Sequence, residues 1–406
     1  MARLAREELD KIKKKYNVSR IWSFSRLNTY LTSRYEYLLK YLMCEKEDRQ
    51  DCAYTTLGSL CHDTLDDYYE GKISYSDMAE QFLDGWITAI DIAGLKLDRN
   101  SEEHDTKLKE KYKSDIQHFF ENHVKYNYNL LIEKPVLTKV GSNIFVGYCD
   151  AIYKDDNGDY YVVDFKTSST SGFSGKNLEK KSMQLVLYSM SLIQSGIDIE
   201  HIKPCFNMLK YVNVETTLKN GDKKQRQIER CKIGESLQSN AKMWLKSFKY
   251  SEEEVDDYLK MLLDTNSIDV LPDEVQEKYK IEDCHIYVPL TQELVDKTVD
   301  TITTNIRDIY AREKDYKETG SDQAFWDDEE SVKKESYYYA TLCAYSPSKL
   351  LPYKNYLDKL EKQKNAMDFF SGVGENSENN VVANQDICNN TKGSDNVDLS
   401  WLDEIE

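Results

Sequence analysis

The strongest constraint on the fold of this chain is a change of hydrophobic period at Glu133. From there to Thr167 the sequence reads EKPVLTKVGSNIFVGYCDAIYKDDNGDYYVVDFKT, in which apolar and polar residues alternate. Alternation with period two is typical of half-buried strands, and the interruptions GSN and DDNGD favour tight turns. The segment therefore predicts three antiparallel strands joined as a meander.

The third predicted strand carries two charged residues, Asp164 and Lys166, within an apolar run. Residues two apart share a face of a strand, and Asp150 stands in the neighbouring strand. Because an unpaired charge is costly to bury, these groups need partners. Carboxylate oxygens suit hard cations such as Mg²⁺ or Mn²⁺. We therefore predict that Asp150 and Asp164 share a divalent cation beside Lys166. A structural salt bridge between Asp164 and Lys166 is the alternative.

Helical periodicity precedes and follows these strands. Apolar positions at helical spacing occupy most of residues 19–130 and recur in residues 179–196, 235–264 and 291–318. One more strand is predicted over residues 202–212, and a hairpin that turns at Asn220-Gly221 follows it. This order of elements predicts an α/β (α+β) core, in which helices flank a central mixed sheet and further helices are inserted.

The charge of the chain is unevenly distributed. The formal net charge of −18 argues by itself against a nucleic-acid partner. Nine of the acids, with a single lysine, lie in residues 366–406, where Asn, Ser and Gly predict a largely disordered tail. Basic clusters at Lys176–Lys181 and Lys219–Lys232 remain in the rest of the chain. A local basic face for a polyanion is therefore compatible with the total charge.

The distribution of cysteines and the hydropathy of the chain predict a cytoplasmic protein. The nine cysteines are scattered and form no CxxC pair, which predicts reduced thiols in a cytoplasmic protein. The charged N-terminal segment does not resemble a secretory signal. No run of eighteen apolar residues occurs, so no membrane span and no membrane partner are predicted.

Five motifs, taken in order, resemble those of the RecB-like branch of the PD-(D/E)XK nucleases. The segment SFSRLNTYL is similar to the S-x-S-x-L-x-x-Y/F opening of that branch. The other four motifs are a helix with Gly and His, then G-x-x-D, D-x-K-T and Q-x-x-x-Y, which here read Gly58 and His62, Gly147 and Asp150, Asp164 to Thr167, and Gln184 and Tyr188. The resemblance spans residues 23–188 and implies a restriction-endonuclease-like core.

The resemblance also implies a metal-dependent DNA nuclease, acting as an exonuclease in recombination, repair or replication. Asp150 and Asp164 would bind Mg²⁺ or Mn²⁺, and His62 and the carbonyl of Phe165 would be further ligands. Lys166 would position the attacking water. Glu133 is a weaker candidate, because a solvent-facing acid is the favoured interpretation there.

Two other residues and one basic cluster complete the implied site. Gln184 and Tyr188 would brace it or contact the DNA backbone. The basic segment that follows the third strand is predicted to contact phosphates through Lys176, Lys180 and Lys181.

The domain itself is predicted to span residues 21–365, after a basic N-terminal helix in residues 1–20.

One feature of that branch is missing. Many of its members hold an iron–sulfur cluster on four cysteines. Here TSRYEYL stands where the first of them is expected, and only Cys343 remains near the C-terminal end of the domain. A cluster needs about four thiolates, so no iron–sulfur centre is predicted. In this respect the chain resembles stand-alone, phage-type exonucleases.

Three other interpretations remain open: an endonuclease of the same fold, a DNA-binding or scaffold subunit without turnover, and an acidic DNA mimic. The sequence has no GxxxxGK[ST] motif, so unwinding would come from a partner. A helicase, a single-strand-binding protein or another replication protein is predicted to dock on the tail that ends in VDLSWLDEIE. A solvating tail without a partner is the alternative.

Overall fold

A mixed seven-stranded sheet forms the centre of the computed structural model, which describes residues 4–50, 52–346 and 349–350, except the side chain of Lys176. The strands are β1 (Ile21–Trp22), β2 (Leu131–Val140), β3 (Asn143–Lys154), β4 (Tyr160–Lys166), β5 (Ile202–Thr217), β6 (Lys223–Glu229) and β7 (Tyr279–Tyr287). Their order is β1-β3-β4-β5-β6, with β2 beside β3 and β7 beside β5.

The α-helices surround this sheet. They are α1 (Arg6–Tyr16), α2 (Phe24–Thr32), α3 (Arg34–Tyr37), α4 (Ala53–Tyr69), α5 (Asp77–Trp86), α6 (Glu102–Asn122), α7 (Gly175–Gln194), α8 (Ile233–Ser247), α9 (Glu252–Thr265), α10 (Asp273–Gln276), α11 (Gln292–Thr319) and α12 (Glu329–Lys334). Single π-helical turns extend three of the helical segments, at Leu38–Leu42, Ile87–Ile92 and Tyr338–Leu342.

The predicted meander is confirmed, because β2 pairs with β3 and β3 with β4, both antiparallel. The parallel β4–β5 pair and the parallel β1–β3 pair make the sheet mixed. The predicted α/β fold class is therefore confirmed. The sequence prediction missed two strands: β1, two residues long, where a helix was expected to begin, and β7, which pairs with β5 at long range.

Both faces of the sheet are covered, and this arrangement positions α4 and α7. Helices α4, α5 and α6 pack on one face, where Val163 and Phe165 of β4 are buried. Helix α7 packs on the other face, where Val162 is buried against Leu185. Residues of a strand alternate between faces, so β4 contributes to both cores.

Tyrosine–carboxylate hydrogen bonds join α2 and α3 to residues 308–338 in four cases, and a fifth joins two residues of the C-terminal part of the described chain. Their donor and acceptor pairs are Tyr30 and Asp308, Tyr35 and Asp322, Tyr37 and Glu313, Tyr338 and Glu36, and Tyr339 and Asp327. We call these five pairs the tyrosine clasp. A buried phenol keeps its ring apolar while its hydroxyl finds an acceptor. The clasp explains part of the high tyrosine content of the chain.

Two other predictions can be compared with the described residues. Helix α1 coincides with the predicted basic N-terminal helix, whereas the predicted acidic tail lies outside the described residues. The cysteines that the structure describes are all free thiols. Within the described part of the chain, no helix is both long and apolar enough to cross a membrane.

Candidate active site

Asp150 and Asp164 lie side by side at the point where β3 and β4 stop pairing. The last pair on that side joins Ala151 and Val163, and the two aspartates are the next residues on their strands. The backbone N–H of Phe165 donates to Oδ2 of Asp150 over 2.8 Å. The strands therefore open at the two aspartates, which accounts for the space that a site needs there.

Helix α4 brings His62 to this opening. The helix is fixed on the sheet by its buried residues Leu57, Cys61 and Leu65. Its His62 places Nε2 at 3.1 Å from the carbonyl oxygen of Phe165 and Nδ1 at 3.5 Å from Oδ2 of Asp150. The imidazole thus contacts two of the groups predicted to act with it. Its side chain is 27% exposed, so solvent and ions reach it.

Lys166 and Asp164 form an ion pair. The Asp164 side chain is almost fully buried, while that of Lys166 is 32% exposed. The salt bridge that the sequence left as an alternative is therefore present. The shared metal ion remains a prediction.

Glu133 joins the site from β2. One ligand atom each from His62, Glu133 and Asp150 lie within 4.8 Å of one another. Asp164, which was predicted as a ligand, lies outside this set of three. Glu133 is partly exposed, which agrees with the solvent-facing position expected for it, and its carboxylate also lies near the imidazole and Asp150.

The pKa values of these groups are shifted by burial and by one another's charges. Burial alone would lower the pKa of His62, but the charge of Asp150 and their hydrogen bond raise it to about 9. Burial would raise the pKa of Asp150, but His62 and Lys166 lower it. Burial and the charge of Asp150 raise the pKa of Asp164, against the effect of Lys166. The protonated imidazole and the Lys166 ammonium group together offset the charges of the carboxylates.

The donor set fits a divalent cation. Imidazole nitrogen and carboxylate oxygen are common ligands of divalent ions, and a main-chain carbonyl is a further oxygen ligand. Such an ion supplies the positive charge that the imidazolium provides in its absence. The residues that the structure brings together therefore match a metal centre in chemistry and in charge.

Gln184 and Tyr188 lie on α7, one turn apart, and are joined by a hydrogen bond. The Nε2 of Gln184 donates to the hydroxyl of Tyr188 over 3.0 Å. The tyrosine ring packs against Gly147 of β3, where a Cβ atom would lie 2.7 Å from Oη and closer still to Cε1. This close approach gives the physical reason for glycine three residues before Asp150.

The three lysines predicted to contact DNA differ in their surroundings. The ammonium group of Lys180 pairs with Glu335 over 2.7 Å. That of Lys181 lies 4.2 Å from the centre of the Phe173 ring. Burial and the like charges of Lys166 and Lys180 lower the pKa of Lys181. The side chain of Lys176 lies outside the described structure.

One further acid near the site, Asp66, was not predicted from the sequence. Asp66 follows His62 by one turn of α4, so it lies on the same side of the helix. Burial and the charge of Glu133 raise the pKa of Asp66 to about 7. The i, i+4 spacing from His62 is the signal that would have identified it.

Comparisons with known proteins bear on the family of the chain. The family profile described as "PD-(D/E)XK nuclease superfamily" matches residues 21–285. A solved structure titled "Crystal structure of SSO0001" is 19% identical in sequence, and the match covers 50% of this chain and 75% of that one, with a TM-score of 0.17. No curated protein sequence matches the chain.

Proposed function

Because the chain belongs to the PD-(D/E)XK nuclease superfamily, we propose that it is a metal-dependent deoxyribonuclease that hydrolyses phosphodiester bonds as an exonuclease of the RecB-like branch. The single observation that best supports this function is the meeting of His62, Asp150 and the Asp164–Lys166 pair where β3 and β4 separate. These groups come from three elements, α4, β3 and β4.

His62, Asp150, Asp164 and the carbonyl oxygen of Phe165 would hold Mg²⁺ or Mn²⁺. Such a cation lowers the pKa of a bound water and offsets negative charge on the phosphate during attack. The contacts of Phe165 support this assignment, since its N–H donates to Asp150 while its carbonyl faces His62. One residue thus orients two of the proposed ligands.

Lys166 acts as a hydrogen-bond donor in this proposal. Burial would lower its pKa, but the charges of Asp164 and Asp150 raise it, so the amine stays protonated at neutral pH. A protonated amine cannot accept a proton from water, but it can orient a water or hold a phosphate oxygen. Asp164 contributes by fixing the position of the ammonium group.

Gln184 and Tyr188 brace the site, and Lys181 contacts the DNA backbone. The contact of Tyr188 with Gly147 holds α7 close to β3, and the hydrogen bond from Gln184 fixes the Tyr188 hydroxyl. Lys181 lies close enough to the site for the charge of Lys166 to lower its pKa. Phosphates are the same in every sequence, so we expect little base specificity and a strong dependence on salt.

No iron–sulfur centre takes part in the proposed function. Where a cluster would join the two ends of the domain, the tyrosine clasp joins them, with Tyr338 donating to Glu36 over 2.5 Å. Recombination, repair or replication is the proposed setting, and a helicase or single-strand-binding protein is the proposed partner of the acidic tail.

Digestion of end-labelled linear DNA, with Mg²⁺, Mn²⁺ or a chelator, tests this function. We expect metal-dependent shortening from the ends and a loss of about 100-fold or more in Lys166→Ala, because a donor aimed at developing charge is removed. The matched control is Lys280→Ala, an exposed lysine on β7, which should cleave like the wild type.

Closed circular DNA separates the alternatives. An exonuclease leaves it intact, whereas cleavage of the circle at the rate of the linear form identifies an endonuclease. The proposed function is wrong if neither form is cleaved with either metal, or if Lys166→Ala cleaves as fast as the wild type.

A further inference from the structure

Glu133 has a backbone conformation that is unusual for a residue within a strand. Its φ is 50°, in the left-handed region, although it belongs to β2. The other non-glycine residues with positive φ in the described part of the chain all lie at or just after helix ends: Asn17, Cys44, Lys249 and Asn266. Helix ends favour this conformation, whereas strands do not.

The pairing of β2 with β3 is interrupted at Glu133. Ile132 pairs with Ala151 and Lys134 with Cys149, so Glu133 stands opposite Asp150 without a registered pair. The regular ladder is interrupted at this one position and continues on both sides. The interruption coincides with the site, since Asp150 is also where β3 leaves β4.

The Glu133 carboxylate completes a mixed set of donors. Its oxygen lies within 4.8 Å of a ring nitrogen of His62 and of a carboxylate oxygen of Asp150. The three residues come from α4, β2 and β3, so no local sequence preference brings them together. Strained backbone is found at functional sites when the surrounding structure holds it in place.

From this geometry we propose that Glu133 is a direct ligand of the divalent cation, together with His62 and Asp150. The inference rests on the proposed function, which includes a metal centre, and it adds a ligand from β2. One nitrogen and two carboxylate oxygens form a donor set that Mn²⁺ accepts. With the second carboxylate, the negative charge of the donor set balances the positive charge of a divalent ion.

Titration of Mn²⁺ into the metal-free full-length protein, followed by calorimetry, tests the inference. We expect Glu133→Gln and Glu133→Gly to weaken Mn²⁺ binding by at least about ten-fold, since even residues that only support metal ligands contribute about 10- to 100-fold. The matched control is Asp63→Asn, an exposed acid next to His62 on α4, which should change the affinity by less than about three-fold, as expected for a screened surface charge.

A second measurement separates a ligand from a residue that only positions His62. Loss of a protein ligand lets one more water bind Mn²⁺, and the relaxation rate of water protons then rises. Glu133→Gly should show this rise, because it has no side-chain oxygen. An unchanged water count with weaker binding would mean that Glu133 is a positioning residue and would overturn the inference.

Glu133→Gly also guards against a folding defect. Glycine adopts a φ of 50° without the clash of a Cβ atom, so the melting temperature of the metal-free variant should equal or exceed that of the wild type. Equal Mn²⁺ affinity in wild type and Glu133→Gly would overturn the inference and leave the proposed function standing. Wild-type protein that binds no Mn²⁺ would overturn both.

Discussion

The ring of Tyr188 fills the space beside Gly147 that any larger residue at that position would need. The contact joins α7 to β3 three residues before Asp150, and the same tyrosine accepts a hydrogen bond from Gln184. Two motifs that are about forty residues apart in sequence are therefore one packing unit. The contact therefore lies on the strand that also carries Asp150.

Gly147→Ala should lower the free energy of unfolding by about 2 kcal/mol, because the added methyl group overpacks the contact with Tyr188. Its nuclease activity should fall as well, since β3 carries Asp150. Urea unfolding measures the first effect. The double variant Gly147→Ala with Tyr188→Ala should lose less stability than the sum of the two single variants.

Gly58→Ala is the matched control for that substitution. A Cβ atom at Gly58 would meet the Thr167 hydroxyl at 3.7 Å, an ordinary contact, and the residue lies inside α4. Alanine is favoured over glycine in a helix by up to about 1 kcal/mol. Equal destabilisation by Gly58→Ala and Gly147→Ala would contradict the packing explanation.

Divalent metal should stabilise the wild type through Asp150. Saturation to about 100 times the dissociation constant adds about 2.7 kcal/mol to the free energy of unfolding. Asp150→Asn should lose most of this gain, because a proposed ligand and the partner of His62 are removed together. Thermal melting with and without Mn²⁺ measures it. Asp256→Asn, an exposed acid on α9, should keep the full metal-dependent shift.

A buried ion pair between Arg230 and Asp283 predicts acid sensitivity. The pKa of Asp283 is lowered to about 2, because its bonds to His123 and Arg230 outweigh the effect of burial. The folded value lies below the unfolded one, so the stabilisation is complete above about pH 4 and is lost as the pH falls from 4 to 2. It amounts to about 2 kcal/mol.

The substitution Asp283→Asn should remove this part of the pH dependence. It should also cost about 3 kcal/mol at neutral pH, since the Arg230 guanidinium is left buried without its partner. Urea unfolding between pH 2.5 and 7 measures both effects. Glu282→Gln, on the exposed side of β7, should retain the wild-type slope. An unchanged slope in Asp283→Asn would refute the assignment.

The tyrosine clasp should contribute to stability through its buried hydroxyl groups. Tyr37 is fully buried and donates to Glu313 over 2.8 Å, while Arg20 binds the same carboxylate through two nitrogens. Tyr37→Phe should therefore cost about 1.5 kcal/mol, the range for hydrogen bonds to charged groups. Calorimetry should show a lower melting temperature for Tyr37→Phe. The melting temperature of Tyr310→Phe, whose ring is 41% exposed, should change very little.

The sequence by itself determined the meander and the positions of Asp150, Asp164 and Lys166 within it. Strand period and turn chemistry act over a few neighbouring residues, so they can be predicted from a short segment. For the same reason the helix with His62 and the helix with Gln184 and Tyr188 were predicted. The family motifs then placed these elements in one domain, and the profile match over residues 21–285 agrees with that domain in its fold class.

Only the tertiary structure decided which groups meet. The approach of Glu133 to His62 depends on a left-handed backbone that no local preference of glutamate predicts. The pairing of β7 with β5 and the Arg230–Asp283 ion pair join residues that are about fifty or more positions apart. Such contacts follow from the packing of whole elements, in which burial and charge balance are settled together, and a local pattern does not contain that information.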